Sequence, residues 1–291
     1  MKLTQHWSNI ILVAGFVCCV ALSAPALADT YSDAVLGDNP LGYWRMDGSG
    51  VNQGSDGTTL QHSDVSVNTE AAGPRGESYP GFDGGNSAVY YNGSALDTGF
   101  SRVGDAIEPD SYAYDITGAM TVEAWVKADD LDTGNRAIVA NFHNTNGHRS
   151  YMLYQNGSGL RFSVSGDGSS SNLATAVTSG SLTTDEWYHV VGVFRPSESV
   201  ELYVNGELAS SVTSGVPDSA FVSKYATYIG AQWTNKNVGS WFLGSIDEVA
   251  IYDSALSDTQ IKQHFDAASI PEPMTLSLLT VVGGFLVARR R

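Results

Sequence analysis

Cysteine is almost absent from this chain of 291 residues. The two cysteines, Cys18 and Cys19, both lie in an apolar stretch near the N-terminus. The rest of the chain therefore has no means to form a disulfide, a thiolate metal site or a cysteine nucleophile. A domain built from it must be stabilised by a hydrophobic core, with a hard metal ion as an additional source of stability.

Lysine and arginine are also few relative to aspartate and glutamate. Residues 29–270 contain 11 lysines and arginines and 30 aspartates and glutamates, because Lys2, Glu272 and the three terminal arginines lie outside this range. The resulting net charge of about −19 repels nucleic acid and anionic lipid and attracts divalent cations. Leucine is also scarce, and neither heptads nor convincing internal repeats occur.

The C-terminal segment has three parts with separate physical roles. Pro271, Glu272 and Pro273 are followed by an uncharged apolar run over residues 274–288 and by three arginines. The run is shorter than the ~20 residues that span a hydrocarbon core as a helix, and the arginines favour the cytoplasmic side. Residues 269–291 resemble the PEP-CTERM sorting signal of Gram-negative bacteria. The resemblance implies transient membrane anchoring and cleavage near Pro-Glu-Pro by an exosortase.

The N-terminal segment is typical of a secretory signal peptide. Lys2 precedes an apolar stretch over residues 10–22, and Ala26-Leu27-Ala28 supplies a small-x-small cleavage pattern. We therefore predict a signal peptide over residues 1–28, cut after Ala28, and export through the Sec translocation machinery. Residues 29–268 form the predicted body. The signal peptide and the sorting signal together predict that this body lies at the cell surface or in the extracellular matrix.

The body reads as an all-β sandwich with one short C-terminal helix. Short alternating segments are separated by glycine, asparagine and aspartate turns. Residues 120–127 and 187–194 predict strands, and Asn205-Gly206 predicts the turn of a hairpin because both residues tolerate positive φ. Ser257 and Gln260 form an S-x-x-Q capping box, which predicts a helix that starts there.

Seven motifs occur in an order that indicates a known family. They are residues 43–47 (YWRMD), 82–84 (FDG), 121–126 (TVEAWV), 187–190 (WYHV), 202–206 (LYVNG), 228–230 (YIG) and 242–252 (FLGSIDEVAIY). Together they resemble the laminin-G-like jelly-roll domain of the concanavalin A-like lectin and glucanase superfamily. The resemblance implies two stacked antiparallel sheets of six or seven strands each. It also implies binding of glycans or proteins, with polysaccharide cleavage in a minority of members.

The motifs of catalysis known from this superfamily are missing. Its glycosidases carry E-x-D-x-E or E-x-D-x-x-E on one strand, which brings two carboxylates about 5 Å apart. Glu198 and Glu201 have no aspartate between them, and Asp247 and Glu248 are adjacent, so regular alternation predicts opposite faces for that pair. No H-E-x-x-H or G-x-S-x-G motif occurs. We therefore predict a non-catalytic protein.

A structural calcium ion is expected from the resemblance. Carried over motif by motif, Asp247 would supply a carboxylate, Gly84 a backbone carbonyl and the region of Asp47 a third oxygen. Calcium accepts this mixture of oxygens outside the cell. The alternative is that Asp47 is a turn residue and that Asp247 accepts hydrogen bonds from backbone amides.

Two polar loops with aromatic residues are the candidate ligand sites. Residues 232–241 contain Trp233, Asn235 and Trp241, and residues 142–149 contain His143 and Arg149. An aromatic platform beside polar groups suits a pyranose, which has one C–H-rich face and hydroxyls around its edge. The alternative for Trp241 is that it packs in the core.

The sequence thus predicts an exported binding module for a polysaccharide or a surface protein. Two alternatives belong to other classes of function. One is a structural matrix or surface-coat protein without a specific ligand, and the other is a polysaccharide hydrolase with an unusual site.

Overall fold

The computed structural model describes residues 30–63, 67–93, 99–103, 114–143, 147–234 and 237–270. Ala28, Asn235 and the Pro271, Glu272 and Pro273 of the sorting signal lie outside these ranges, so their predicted roles stay predictions. Within the described residues, no helix has the length and apolar character needed to cross a membrane.

Seventeen strands and two helices make up the described part of the chain. In chain order they are α1 (Thr30–Gly37), β1 (Gly42–Trp44), β2 (Leu60–His62), β3 (Val67–Ala72), β4 (Ser87–Asn92), β5 (Ser101–Val103), β6 (Met120–Ala128), β7 (Asn135–His143), β8 (His148–Asn156), β9 (Gly159–Ser165), β10 (Leu173–Val177), β11 (Tyr188–Arg195), β12 (Ser199–Val204), β13 (Glu207–Val212), β14 (Tyr228–Ile229), β15 (Gln232–Trp233), β16 (Val238–Gly239), β17 (Leu243–Tyr252) and α2 (Asp258–Ser269).

The strands form two sheets. The first has the order β13-β12-β11-β6-β17-β4-β3, with β1 also paired to β17, and we call it the covered sheet. The second has the order β10-β9-β8-β7-β14-β5-β2, with β15 and β16 attached beside β7, and we call it the open sheet. The pairings are antiparallel except for the short contact between β15 and β7. The predicted double-layered sandwich is confirmed, with eight and nine strands in place of the six or seven expected per sheet.

The main core lies between the two sheets. It combines the inward-facing residues of β6, among them Val122 and Val126, with those of the open sheet, among them Leu153 and Phe162. The sheets approach closely, since a Cβ added at Gly192 of β11 would lie 2.3 Å from the Phe162 ring. The nearly continuous apolar sequence of β11 fits its position, because Val190 and Phe194 lie in this core while Val191 and Val193 lie in the apolar cluster on the other face of the sheet.

Both helices pack on the outer face of the covered sheet. Tyr31 and Val35 of α1 and Ile261 of α2 form a second apolar cluster with Trp125 and Tyr203. This explains the presence of Trp125 on the side of β6 that faces away from the main core. The capping box of α2 is present, with Ser257 and Gln260 bonded to each other's backbone N–H groups. Helix α1 was not predicted from the sequence.

Candidate ligand-binding face

The two outer faces of the sandwich differ in what lies on them. The outer face of the covered sheet is occupied by α1 and α2, which bury Trp125 and Tyr203 almost completely. The apolar clusters on the outer face of the open sheet contain no residue of either described helix. We call the outer face of the open sheet the open face, because neither described helix packs on it. Many of its side chains are nevertheless buried, and Arg161, Thr175 and Trp233 are among those that are partly exposed.

Alternation along β8 and β9 decides which side chains reach the open face. Tyr151 and Leu153 of β8 belong to the main core, so Met152 and Tyr154 point outward. On β9 the core residues are Leu160, Phe162 and Val164, which leaves Arg161 and Ser163 on the outside. The Tyr154 hydroxyl lies 3.2 Å from the Ser163 Oγ, which lies 2.9 Å from the Thr175 Oγ1 of β10. A row of hydroxyl groups thus crosses three strands.

An aromatic cluster continues this face beyond β7. Tyr228 and Trp241 pack with Val238 and with the partly buried Phe100 and Trp233. The ring centroids of Tyr228 and Trp233 are 6.1 Å apart, and those of Phe100 and Trp241 are 6.2 Å apart. Trp241 is 9% exposed, so most of its surface packs, whereas Trp233 is half-buried. Of the two predicted tryptophans, Trp233 has the larger surface available to a ligand.

The structure brings His143 and Arg149 to the same region. His143 is directly opposite Trp233 in the contact between β7 and β15, with ring centroids 6.4 Å apart, but it is buried and stacks on Tyr225 at 4.4 Å. The Arg149 guanidinium lies 5.8 Å from the centroid of Phe142, which belongs to the outer cluster of the open sheet. Four of the five predicted ligand residues therefore lie close to the open face. Burial makes His143 a support for the aromatic rings.

A small cleft borders Trp241. It has a volume of about 210 Å³ and is lined by Gly93, Thr133, Gly134, Asn135, Arg136, Ser240 and Trp241. The Arg136 guanidinium donates to the Trp241 carbonyl oxygen at 3.1 Å and is paired with Asp130 at 2.7 Å. Backbone and side-chain polar groups thus stand beside an aromatic ring, as in many sugar subsites.

Several residues of the open face were missed by sequence reasoning, among them Arg102, Arg161 and Tyr228. Arg102 lies on β5 opposite Tyr228 of β14, and Arg161 lies on β9 opposite Tyr154 of β8. Burial raises the pKa of Tyr228, and the nearby Arg102 offsets part of that rise. The alternation of β9 could have identified Arg161 as an outward residue, because it stands between Leu160 and Phe162. Arg102 and Tyr228 lie on strands of three and two residues, which are too short for a periodic signal.

A fully buried carboxylate lies under the helices on the covered sheet. Glu123 accepts hydrogen bonds from the Tyr31 hydroxyl at 2.8 Å and the Tyr252 hydroxyl at 3.2 Å. The His189 Nε2 lies 2.7 Å from Oε1 and the His264 Nδ1 lies 3.0 Å from Oε2. Burial raises the pKa of Glu123, but the two histidines outweigh it and hold this pKa well below its usual value.

Asp247 and Glu248 do not follow the predicted alternation. A bulge in β17 lies between Asp247 and Ala250, and Glu248 adopts a φ of 49°. Both carboxyl groups consequently lie in one buried polar cluster. Asn86 donates to Asp247 at 2.8 Å, Tyr43 donates to Glu248, and Arg45 lies within hydrogen-bonding distance of both Asn86 and Glu248. The expectation of opposite faces was wrong, because a bulge shifts the residues after it to the other side.

The predicted calcium ligands surround this cluster. Burial and the adjacent Glu248 raise the pKa of Asp247 well above its usual value. Arg75 donates to the carbonyl oxygens of Gly84 and Asn86. Burial raises the pKa of Asp47, but hydrogen bonds from Ser49 and the charge of Arg45 outweigh it and lower this pKa. Among the described residues, no three or more histidine, aspartate and glutamate side chains form a group that could hold a metal ion.

The arrangement defines a class of protein: a two-sheet jelly roll with one outer face closed by helices and one outer face that carries neither described helix. Residues 100–262 match the Laminin_G_3 family model of the concanavalin A-like lectin/glucanases superfamily. The chain therefore belongs to this family, as the seven motifs indicated. No curated protein sequence matches it.

Solved structures with the same fold include bacterial toxin domains. The binding domain of botulinum neurotoxin serotype G is 12% identical, with a TM-score of 0.58 over 78% of this chain and 50% of that one. The binding domain of Paraclostridial mosquitocidal protein 1 is 14% identical, with a TM-score of 0.58 over 80% and 53%. A third is the binding domain of botulinum neurotoxin DC in complex with rat synaptotagmin II, at 12% identity, with a TM-score of 0.58 over 80% and 52%. This chain spans about half the length of each, and the likeness concerns the fold.

Proposed function

We propose that this chain is a non-catalytic binding module that recognises carbohydrate through its open face. The observation that carries the proposal is the aromatic cluster of Tyr228, Trp233 and Trp241, whose half-buried member Trp233 lies on the one outer face that carries neither described helix. Aromatic rings bind the C–H-rich face of a sugar. The solved toxin domains of the same fold are described as binding domains, which supports binding as the role.

The buried carboxylates support a non-catalytic role. Glycoside hydrolysis needs two carboxyl groups on either side of a bound sugar. Glu123, Asp247 and Glu248 are each 0% exposed, and their oxygens are engaged by tyrosine, histidine, asparagine or arginine groups. A glycosidic bond cannot reach these three carboxyl groups unless the residues that bury them move away.

Export and sorting complete the proposal. We infer that Ala28 marks the end of a signal peptide and that an exosortase cleaves near Pro271-Glu272-Pro273, which releases the module to the surface or matrix. Helix α2 ends at Ser269, so the sorting signal starts directly after the sandwich. Mass spectrometry of the mature protein tests both cleavage sites.

Calcium remains part of the proposal as a structural ion near Asp247, Gly84 and Asp47. The support is chemical, since calcium accepts carboxylate and carbonyl oxygens and the carboxyl groups of Asp247 and Glu248 are both buried here. Burial and the adjacent Glu248 raise the pKa of Asp247, and a bound cation would offset the cost of its charge.

A glycan array, probed with the purified full chain with and without calcium, tests the proposed function. Binding that is abolished by Trp233→Ala supports recognition on the open face. Trp187→Ala is the matched control, because Trp187 is also half-buried but packs against the cluster on the covered sheet. Loss of binding in both variants, or in neither, contradicts the proposed location.

Three other outcomes would redirect the assignment. A protein that binds no glycan but forms ordered layers with calcium would be a coat protein. Release of reducing ends from a panel of β-glucans would make it a hydrolase. Binding to a surface protein through the same face would retain the module and change the class of ligand.

A further inference from the structure

Charge is divided unequally between the two sheets. The strands of the open sheet contain no aspartate or glutamate within their bounds, although this chain has 31 acidic residues. The same strands carry four arginines, namely Arg102, Arg136, Arg149 and Arg161. The strands of the covered sheet contain Glu70, Glu123, Glu201, Glu207, Asp247 and Glu248. In a protein of net charge −16, an acid-free sheet with four arginines is a local exception.

Three of these arginines belong to the open face. Arg161 and Arg102 each stand next to strand residues of the main core, Phe162 and Val103, so their own side chains point outward. Arg149 lies over the ring of Phe142 on the same side. Arg136 is different, because it is paired with Asp130 beside the Trp241 cleft.

Arg102 and Arg161 have few partners within the described part of the chain. The half-buried Arg102 bonds to the Tyr228 hydroxyl, and its buried Nε has no hydrogen-bond partner there. The Arg161 guanidinium makes one long contact, 3.4 Å to the Asn156 Oδ1. Within the described ranges, neither arginine forms an ion pair with a carboxylate, whereas Arg45 and Arg195 outside the open sheet do, with Glu248 and Glu201.

The spacing of the arginines suits an extended ligand. Arg161 on β9 and Arg102 on β5 are four strand steps apart in the order β9-β8-β7-β14-β5, which corresponds to about 19 Å at the usual strand separation of ~4.8 Å. Arg149 lies on β8, and Phe142 and Tyr228 lie on β7 and β14 between the outer arginines. Two aromatic residues therefore lie between the arginines on the two sides of this face.

We propose that the ligand of the open face is an anionic, carboxylate-bearing polysaccharide. The proposal rests on the proposed function and specifies its substrate class. A guanidinium forms paired hydrogen bonds with a carboxylate, and the half-buried ring of Trp233 on the same face suits a sugar ring better than it suits an acidic peptide. The acidic remainder of the protein repels the polymer, so binding is confined to this face.

The test compares two polymers that differ only in charge. Polygalacturonate and its methyl ester share one backbone, and the purified full chain is titrated with each by calorimetry. We expect polygalacturonate to bind and the ester to bind at least tenfold more weakly. Arg161→Gln and Arg102→Gln should each weaken binding about tenfold, because hydrogen bonds to charged groups are worth about 1.5–3 kcal/mol. Raising the salt from 0.15 M to 1 M should weaken it further.

Lys127→Gln is the matched control, because Lys127 lies on the covered sheet over the Trp187 ring. It should bind polygalacturonate as the parent chain does, and melting curves of all three variants verify that each is folded.

Equal binding of ester and acid, or equal loss in Lys127→Gln, overturns the charge proposal and leaves the proposed function intact. Equal binding of polyglutamate overturns it in favour of an acidic protein ligand. Absence of binding to every polysaccharide, in a folded protein, defeats the proposed function as well.

Discussion

Glu123 has no access to water, and its four hydrogen-bonding partners come from distant parts of the sequence. Tyr31 and His264 lie on the two helices, and His189 and Tyr252 lie on neighbouring strands. His264 also contacts Asp38 at 3.0 Å through its Nε2. The carboxylate therefore links both helices to the covered sheet, and its cost of burial is offset only while these partners are in place.

Removing the charge of Glu123 should destabilise the fold strongly. In Glu123→Gln, the buried His264 loses one of its two anionic partners and keeps only Asp38, and breaking a buried ion pair by removing one partner costs up to about 3–5 kcal/mol. Chemical denaturation measures the free energy of unfolding. Glu207→Gln is the control, because the side chain of Glu207 is 75% exposed and its one ion pair, with Lys262, is long at 3.9 Å. This change should alter the free energy of unfolding by less than about 0.5 kcal/mol. Equal effects of the two variants would contradict the role assigned to Glu123.

The same network predicts a dependence of stability on pH. Burial lowers the pKa of His264, but Glu123 and Asp38 outweigh it and raise this pKa. The stabilisation from His264 is then complete below the usual histidine pKa of about 6.5 and is lost as the pH rises through the folded value. The lowered pKa of Glu123 acts in the other direction, and its contribution is lost as the pH falls through the folded value.

A comparison of the parent chain with His264→Gln isolates this effect. The raised pKa of Asp247 also changes stability with pH, but it does so in both proteins. The difference in unfolding free energy between them should therefore shrink as the pH rises above about 6.5. A difference that stays constant from pH 5 to pH 9 would show that His264 does not titrate in this way.

At the scale of single elements, the hairpin of β12 and β13 depends on Gly206. Asn205 and Gly206 have φ values of 52° and 78°, and a Cβ on Gly206 would lie 3.0 Å from the Phe265 Cβ of α2. Gly206→Ala should cost about 1–2 kcal/mol from its left-handed backbone alone, in addition to the contact. Gly118→Ala is the control, since a Cβ there has open space and its φ is not positive. Urea denaturation of both variants checks the difference, and equal stability would contradict it.

Local signals decided which elements the sequence could predict. Asn205-Gly206 and the capping box at Ser257 act through neighbouring residues, and the structure contains both. Helix α1 is only eight residues long, and its Tyr31 and Val35 are held by the covered sheet. The bulge after Asp247 depends on contacts with β6 and Asn86. Features that are stabilised by tertiary contacts leave little trace in the local pattern.

At the scale of the whole molecule, the sandwich and its family were predictable, while the distribution of charge was not. Net charge is a sum over the sequence, but the position of each arginine depends on which strand joins which sheet. The two segments predicted as loops were identified by their aromatic and polar residues, but His143, Arg149 and Trp233 lie in strands β7, β8 and β15. Arg102 and Arg161 were missed, since only the sheet order places them on one face with Tyr228 and Trp233.

Removal of calcium should lower the melting temperature if the proposed ion joins the early segment to the last strand. Asp47 and Gly84 lie far in sequence from Asp247, yet Arg45 and Asn86 connect their surroundings in the fold. An ion there would stabilise the folded chain in proportion to the logarithm of its concentration over its dissociation constant, by about 2.7 kcal/mol at a hundredfold excess. Differential scanning fluorimetry of the purified full chain with and without EDTA measures this effect.

Asp247→Asn should abolish the response to EDTA, while Asp167→Asn, a change in an exposed loop far from the cluster in sequence, should retain it. An unchanged melting temperature of the parent chain in EDTA would contradict the ion.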